Sequence, residues 1–293
     1  MQLYKVSIKL QSALVTPLKG DTIWGHIVWG IANHEGEQAV ANFLAEEKSA
    51  TPSLIVSSAF PKGTICKPFP RHEDRKLKLS TEEYSKIKKG KKEKFVSAAK
   101  YFSDFSEIEI KTFRFEQVQA MHNSINRFSN TVEEGNLFAV EEFWASSQDF
   151  DLYVLSSYSK ERIKLLLDWA FENGYGADSS TGKGKISVEN IIPVKPKISS
   201  NKYVVLAPFV ADFSEIKENS LCANTFIRAG KIGGAFASSM NPYKKTVILF
   251  DEGAVFESEM PLQFIGKLIT KVHSDERICQ SGFAPVLPIG EDE

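Results

Sequence analysis

The sequence predicts an α+β protein of two domains, and three observations carry that prediction. Its 293 residues exceed what one domain usually holds, at about one domain per 100–200 residues. Stretches of period-two apolar alternation are interleaved with stretches of 3.6-residue spacing, so strands and helices follow one another along the chain. Residues 193–202, PVKPKISSNK, hold two prolines and no run of core residues, and read as a linker. The first domain is therefore placed at 1–192, with residues 61–148 as an insertion, and the second at 203–293. With 42% hydrophobic, 11% aromatic and 25% charged residues the chain can fill a core that offsets the entropy of ordering it, which excludes a disordered protein.

From Leu3 to Leu10, Tyr4, Val6, Ile8 and Leu10 alternate with Leu3, Lys5, Ser7 and Lys9, the pattern of a half-buried strand. Pro17 and Gly20 break it. Asp21 or Thr22 then caps a helix in which Ile23, Trp24, Ile27, Val28 and Ile31 recur at helical spacing, and a second helical stretch runs from Glu37 to Glu46. Ser53 to Phe60 is a strand on its apolar run Leu54, Ile55, Val56, ended by Pro61. Lys111 to Phe128 and Asn136 to Trp144 read as two extended arms joined by the turn-rich Asn130 to Gly135, a long hairpin. Phe150 to Leu155 is a strand, and Ser159 caps a helix with Ile163, Leu166, Leu167 and Ala170 on one face. A glycine-rich loop leads into a strand over Lys185 to Ile192. The succession matches the ferredoxin-like pattern β-α-β-β-α-β with a hairpin inserted. Beyond the linker, Tyr203 to Val210, Asn224 to Ala229, Thr246 to Phe250 and Phe283 to Ile289 are strand candidates and Leu262 to Thr270 a helix candidate. Trp144 and Trp169 sit on apolar faces and are read as core.

Several function classes drop out. The apolar runs stop far short of the ~20 residues a membrane-spanning helix needs. The opening MQLYKVSIKL alternates where a signal peptide is continuously apolar, so a cytoplasmic protein without a membrane partner is expected. Cys66, Cys222 and Cys279 are scattered with no CxxC, and the five histidines show neither HExxH nor HxH spacing, so neither disulfides, a structural metal nor another cofactor is expected. Charge is unevenly spread although the net charge is -1. Pro61 to Lys100 holds thirteen Lys or Arg against five Asp or Glu, and Asp251 to Glu293 holds nine acids against three bases. The basic tract RHEDRKLKLSTEEYSKIKKGKKEK is expected to be a mobile insertion, either a solvated loop or a polyanion contact.

The most informative stretch is Gly174-Tyr-Gly-Ala-Asp-Ser-Ser-Thr-Gly-Lys-Gly-Lys-Ile186. A Walker loop is excluded, because Ala177 stands where its first glycine belongs and Gly184 where Ser or Thr must hold magnesium. A Rossmann fingerprint is excluded too, since this loop follows a helix and opens a strand. Glycines at positive φ let a ligand approach the backbone, and successive N–H groups form a concave anion site. Lys183 and Lys185 add charge; Ser179, Ser180 and Thr181 add hydroxyls. Two readings stand: a phosphodiester cradle, or a connection merely ended by glycines.

Through Gly174, Gly176, Gly182 and Gly184 the loop fits GxGxxxxxGxG, which resembles the glycine loop of the RAMP proteins, the repeat-associated RNA-binding subunits of CRISPR effector complexes. Leu18-Lys-Gly-Asp-Thr-Ile-Trp-Gly25, Asn123-Ser-Ile-Asn-Arg127 followed by Gly135-Asn-Leu-Phe138, and Arg228-Ala-Gly-Lys-Ile-Gly-Gly234 look like the fourth Csm subunit group of type III-A complexes. These anchors cover nearly the whole chain in family order. The family more often has an apolar residue at the place of Lys183, a basic one within Ala-Asp-Ser-Ser-Thr, Asp at the place of Asn126 and Gly at the place of Asn130. The resemblance implies two ferredoxin-like (RRM-like) domains and a non-catalytic subunit that grips the repeat-derived 5′ handle of the crRNA. It implies a cap on the filament of backbone RAMP subunits and a dock for the large polymerase-like signature subunit. It also implies that the long hairpin is a thumb pressing on the guide.

On that resemblance the RNA contacts are expected from Lys19, His26, the hairpin residues Asn123, Ile125, Asn126 and Arg127, and the loop residues Gly176, Ser179, Ser180, Gly182, Lys183, Gly184 and Lys185. A second anion cradle is expected from Arg228, Lys231, Gly233 and Gly234. Single-stranded RNA is held by cations and amides on its phosphates and by wedges against unstacked bases. Strand alternation places Asn123, Ile125 and Arg127 on one face, where one wedge and one cation meet the same strand; the plain reading is a core Ile125 and a surface ion pair. Asp21 is read as a cap, not a catalytic acid. His26 packs between Trp24 and Trp29 or stacks on a base. The rival is a metal-independent endoribonuclease using His26 as general acid or base.

Overall fold

The computed structural model describes residues 1–69, 93–103, 105, 113–233 and 240–290, so the tract of residues 70–92 and Gly234 lie outside the described residues. In chain order the elements are β1 (Gln2–Leu10), α1 (Gly20–Glu35), α2 (Glu37–Glu47), β2 (Leu54–Pro61), β3 (Thr64–Cys66) and β4 (Phe95–Ser97). Then come β5 (Phe115–Asn126), β6 (Thr131–Ala145), β7 (Asp149–Ser156), α3 (Lys160–Phe171) and β8 (Ile186–Pro193). The rest is strand: β9 (Lys202–Val205), β10 (Thr225–Arg228), β11 (Val247–Phe250), β12 (Val255–Glu257), β13 (Phe264–Ile269) and β14 (Gln280–Pro288). Among the described residues no helix is long and apolar enough to cross a membrane.

The first sheet has the antiparallel order β2-β7-β1-β8, with Val6 of β1 opposite Leu152 on one side and Ile191 on the other. This is the order that a β-α-β-β-α-β succession generates when each helix crosses the same face. The alternation of β1 explains its two contacts. Val6, Ile8 and Leu10 turn to the helices and pack with Ile23, Ile27, Ile163 and Leu167, while Leu3 turns to the opposite face. Ile23 and Ile27 are fully buried, each contributing about 1.5–3 kcal/mol by removal from water. Ser159 caps α3 by accepting a hydrogen bond from the Arg162 amide at 3.3 Å. Asp21 is not a cap. Lys19 occupies the N-cap position of α1 and makes no side-chain capping hydrogen bond, and the Asp21 carboxylate, in the first turn, points instead at Arg228.

The second sheet, β12-β9-β14-β13, is antiparallel throughout and lies against the helix-free face of the first. Val204, Leu206, Phe283 and Leu287 meet Leu3, Ile55, Tyr153 and Leu155 across that interface. Its other face, with Val205, Phe256, Ile265 and Val286, is covered by Ile216, Leu221 and Phe250. Two expectations are corrected here. The helix expected over Leu262–Thr270 is strand β13, paired with β14 from Phe264↔Pro285 to Ile269↔Gln280. Its apolar residues do fall three and four apart, but β-branched Ile265 and Ile269 and a central Gly266 at φ 100 suit a strand. Among the described residues this half therefore carries no helix and departs from the ferredoxin-like plan, because one sheet face is buried on the first sheet rather than under helices. β10 and β11 form a two-stranded sheet, Ile227 opposite Ile248, and Phe250 of β11 is bridged to Phe209.

β5 and β6 form a two-stranded ribbon anchored at its base where Leu14 pairs with Phe143. The hairpin is as expected, but its turn is earlier. Residues 127–130 make it, with Asn130 at φ 51 and the Asn126 side-chain oxygen accepting hydrogen bonds from the Phe128 and Ser129 amides at 2.9 and 3.4 Å. Gly135, expected in the turn, lies at φ 85 inside β6, where the register jumps between Asn123↔Leu137 and Ile125↔Val132 and one residue of β5 opposes four of β6.

Candidate nucleic-acid interface

The glycine loop is built inward. The Tyr175 amide bonds to the Gly184 carbonyl at 2.8 Å, the Gly184 amide to the Ala13 carbonyl at 2.8 Å, and the Lys185 amide to the Ser12 hydroxyl at 2.9 Å. The Gly176 amide donates to His26 Nε2 at 3.1 Å and the Ala177 amide to the Thr16 hydroxyl at 2.9 Å. The Gly182 amide bonds to the Ser179 carbonyl and the Lys183 amide to the Asp178 carbonyl. Gly184 is where glycine is required: its φ is 67, and a Cβ there would lie 2.0 Å from the Tyr175 carbonyl oxygen. The expectation of a row of exposed amides is thus corrected, since these N–H groups close the loop on itself and hold it onto His26 of α1 and the connection between β1 and α1, and what faces solvent is the tip around Ser180 to Gly182.

His26 is a buttress beneath this loop. Its ring lies 4.9 Å from that of Tyr175, whose hydroxyl donates to the Pro17 carbonyl at 2.7 Å. Burial lowers the His26 pKa to about 4, against an opposing hydrogen bond to the Ala170 backbone. Three residues further along α1, Trp29 lies under Gly233, so one helix face carries both glycine stretches.

Lys183 links the loop to the ribbon. Its Nζ lies 2.5 Å from Oε1 of Glu142 on β6, and His122 Nε2 lies 3.7 Å from the same oxygen. The Glu142 side chain is only 4% exposed. The Lys183 hydrogen bond, opposed by burial and aided by His122, keeps its pKa below the ordinary carboxylate value. Glu142 pairs with Val118 in the ribbon, so alternation puts His122, Phe138 and Trp144 on the same loop-facing side. His122 and Phe138 are stacked at 5.7 Å, and Phe138 and Trp144 are 51% and 47% exposed. Trp144 is therefore not core, as expected from its apolar neighbours; Trp169 is partly buried and stacks on His34. Lys183 thus brings the glycine loop beside the ribbon face that carries the half-exposed Phe138 and Trp144, and this juncture is the candidate RNA trough.

The hairpin residues expected to share it fall elsewhere. Asn123 and Ile125 lie on the opposite ribbon face, Ile125 65% exposed and thus not core, and Arg127 sits in the turn, exposed and without an ion pair among the described residues. Ser179, Ser180 and Lys185 stay with the loop. Lys19 is spent between Asp251 and Glu252, at 2.7 and 2.5 Å. Arg228 is spent on Asp21, Nε and Nη2 each 2.8 Å from a carboxylate oxygen, with Gln280 Nε2 donating to Asp21 at 2.9 Å. Lys231 pairs through its backbone with Tyr243 and is exposed. The sequence reading missed Glu142, His122, Phe138 and Trp144; the period-two pattern around Glu142 was the available signal. Among the described residues no group of His, Cys, Asp or Glu is placed to hold a metal ion.

No protein-family model matches the chain, and no curated protein matches it. Solved structures do. A chain in the crystal structure of a Csm1-Csm4 cassette in complex with AMPPNP superposes with a TM-score of 0.57 at 15% identity, over 98% of both chains. The same cassette in complex with cA4 gives 0.58 at 13% identity, over 98% of this chain and 100% of that one. The Csm3-Csm4 subcomplex in the type III-A CRISPR-Cas interference complex gives 0.53 at 12% identity, over 99% and 100%. The fold is shared with these chains from end to end.

Proposed function

We propose that this chain is the Csm4-type RAMP subunit of a type III-A CRISPR interference complex, a non-catalytic scaffold that holds the 5′ handle of the crRNA. In this reading it caps the backbone filament and docks the large polymerase-like subunit, and its first, ferredoxin-like sheet carries the RNA. The observation that carries the reading is the Lys183–Glu142 contact, which sets a glycine loop against an aromatic ribbon face in a protein whose whole length follows the fold of Csm-complex chains. Phosphate is held by Lys183, Lys185 and the hydroxyls of Ser179 and Ser180, and a base stacks on Phe138, His122 or Trp144.

The endoribonuclease reading lacks comparable support. His26 Nε2 accepts the Gly176 amide, and a ring neutral down to about pH 4 is a poor general acid at neutral pH. The test is reconstitution with guide RNA and the Csm1- and Csm3-type proteins of the same organism, followed by photo-crosslinking. Crosslinks from handle nucleotides to Phe138, Trp144 or the 179–185 loop are expected, with repeat RNA left intact. Crosslinks that avoid the trough, or cleavage abolished by His26→Ala, overturn the reading.

A further inference from the structure

The two faces of the β5–β6 ribbon are chemically unlike. Opposite the trough lie Met121, Ile125, Val132 and Leu137, exposed by 60%, 65%, 58% and 62%. Their register places them in one patch: Met121 pairs with Ala139, Asn123 with Leu137 and Ile125 with Val132. Single exposed apolar residues are ordinary on a protein surface, but a contiguous row marks a binding site. Among the described residues this face holds no Lys or Arg, and the one charged residue placed on it, Glu141, is acidic and exposed. Residues 115–145 as a whole contain five glutamates against a single Arg or Lys, Arg127 in the turn.

Those charges select among occupants. RNA laid along this face would bring phosphates towards the Glu141 carboxylate with no described cation on the face to receive them. A second copy of the chain would bring together two ribbons that are each net negative. A protein surface with an apolar centre and a Lys/Arg rim is complementary on both counts. We propose that the outer face of the ribbon is a docking surface for a neighbouring protein subunit of that chemistry, so that the ribbon is clamped between RNA on one side and protein on the other. The proposal goes beyond the RNA-binding reading and rests on it only for its setting, a multi-subunit assembly.

The test compares the wild-type chain with Met121→Lys/Leu137→Lys and Met121→Glu/Leu137→Glu in complexes reconstituted with guide RNA and the Csm1- and Csm3-type proteins of the same organism. The positions are exposed, so unchanged thermal melting is the folding control. The Lys pair should weaken association with one of the two proteins at least tenfold and leave guide-RNA affinity at the wild-type level; the Glu pair should lose less. Equal protein affinity in all three chains sinks the docking surface, as does a change in RNA affinity alone or self-association of the wild type through this face. If the wild-type chain assembles with neither protein, the functional reading fails as well; if it assembles and the Lys pair is indifferent, only the docking surface fails.

Discussion

Two cations of this protein sit beside glycines and look alike in the sequence, yet the fold uses them differently. Arg228 forms a two-pronged contact with Asp21, whose side chain is 0% exposed, and Gln280 and Lys244 complete the surroundings. Lys183 makes one contact with Glu142, on a ribbon face that carries half-exposed aromatic rings. The first pair joins α1 to the β10–β11 ribbon across 207 residues of sequence. The second joins a loop to a ribbon, and in the proposed function it exchanges its carboxylate for an RNA phosphate. Both partners are buried, Asp21 at 0% and Glu142 at 4% exposure, so what separates the two cations is saturation: the guanidinium contact is two-pronged and the ammonium contact single.

The contrast breaks most visibly at Asp21. Asp21→Ala leaves the Arg228 guanidinium partly buried and unpaired, which costs on the order of 3–5 kcal/mol. Urea unfolding should register that loss, with Asp21→Asn milder because an amide oxygen still accepts a hydrogen bond. RNA affinity of the fraction that remains folded should not change. An affinity loss without a stability loss would make Arg228 an RNA contact after all.

Much of this arrangement is legible in the sequence, and the limit of legibility is physical. The alternation of Tyr4, Val6, Ile8 and Leu10 and the cap at Ser159 are local properties, and both appear in the structure. The β5–β6 ribbon is legible as two extended arms, but its turn is not, because Asn130 and Gly135 both tolerate left-handed backbone and only one closes the turn. Strand β13 is misread because Leu262, Ile265 and Leu268 fall at a spacing that a six-residue strand and one helical turn share. At the site, alternation groups Asn123 with Ile125 correctly, yet which ribbon face meets the loop depends on the contact between Lys183 and Glu142, 41 positions apart (183 minus 142). The pairing of Arg228 with Asp21 is likewise set by tertiary packing alone.

A smaller effect is expected at the trough, and its two halves have opposite signs. Lys183→Ala removes a phosphate-binding cation and should weaken guide-RNA binding about tenfold, the size of one charge-assisted hydrogen bond at roughly 1.4 kcal/mol. Glu142→Gln removes the carboxylate that holds the ammonium in the free protein, so RNA affinity should rise by a few-fold. Stability should hardly move for Glu142→Gln, whereas Lys183→Ala leaves the buried Glu142 carboxylate without its ammonium and should cost about 1–3 kcal/mol. Fluorescence anisotropy at two salt concentrations reads both, since losing one phosphate contact also flattens the salt dependence by about one counterion. Equal affinities for all three chains would return the Lys183–Glu142 pair to the structural class of Arg228–Asp21.

The smallest effect sharpens the sealed side of the comparison through pH. Lys244 Nζ donates to the Cys279 carbonyl at 2.9 Å and to Gln280 Oε1 at 2.8 Å, and burial lowers its pKa from 10.5 to about 8. Between those values the unfolded chain binds the proton more tightly than the folded one, so stability rises with pH across that window and is flat in this group below about pH 8. From pH 8 to pH 9 the gain is about 1 kcal/mol, less than one proton per pH unit because the folded group is only half titrated at the start. Lys244→Met should abolish the rise without disturbing guide-RNA affinity. If the wild-type unfolding free energy is level from pH 8 to 9, the Lys244 ammonium is solvated and the surroundings of Arg228 are wetter than the sealed Asp21 carboxylate implies, which would bring the two cations closer in kind.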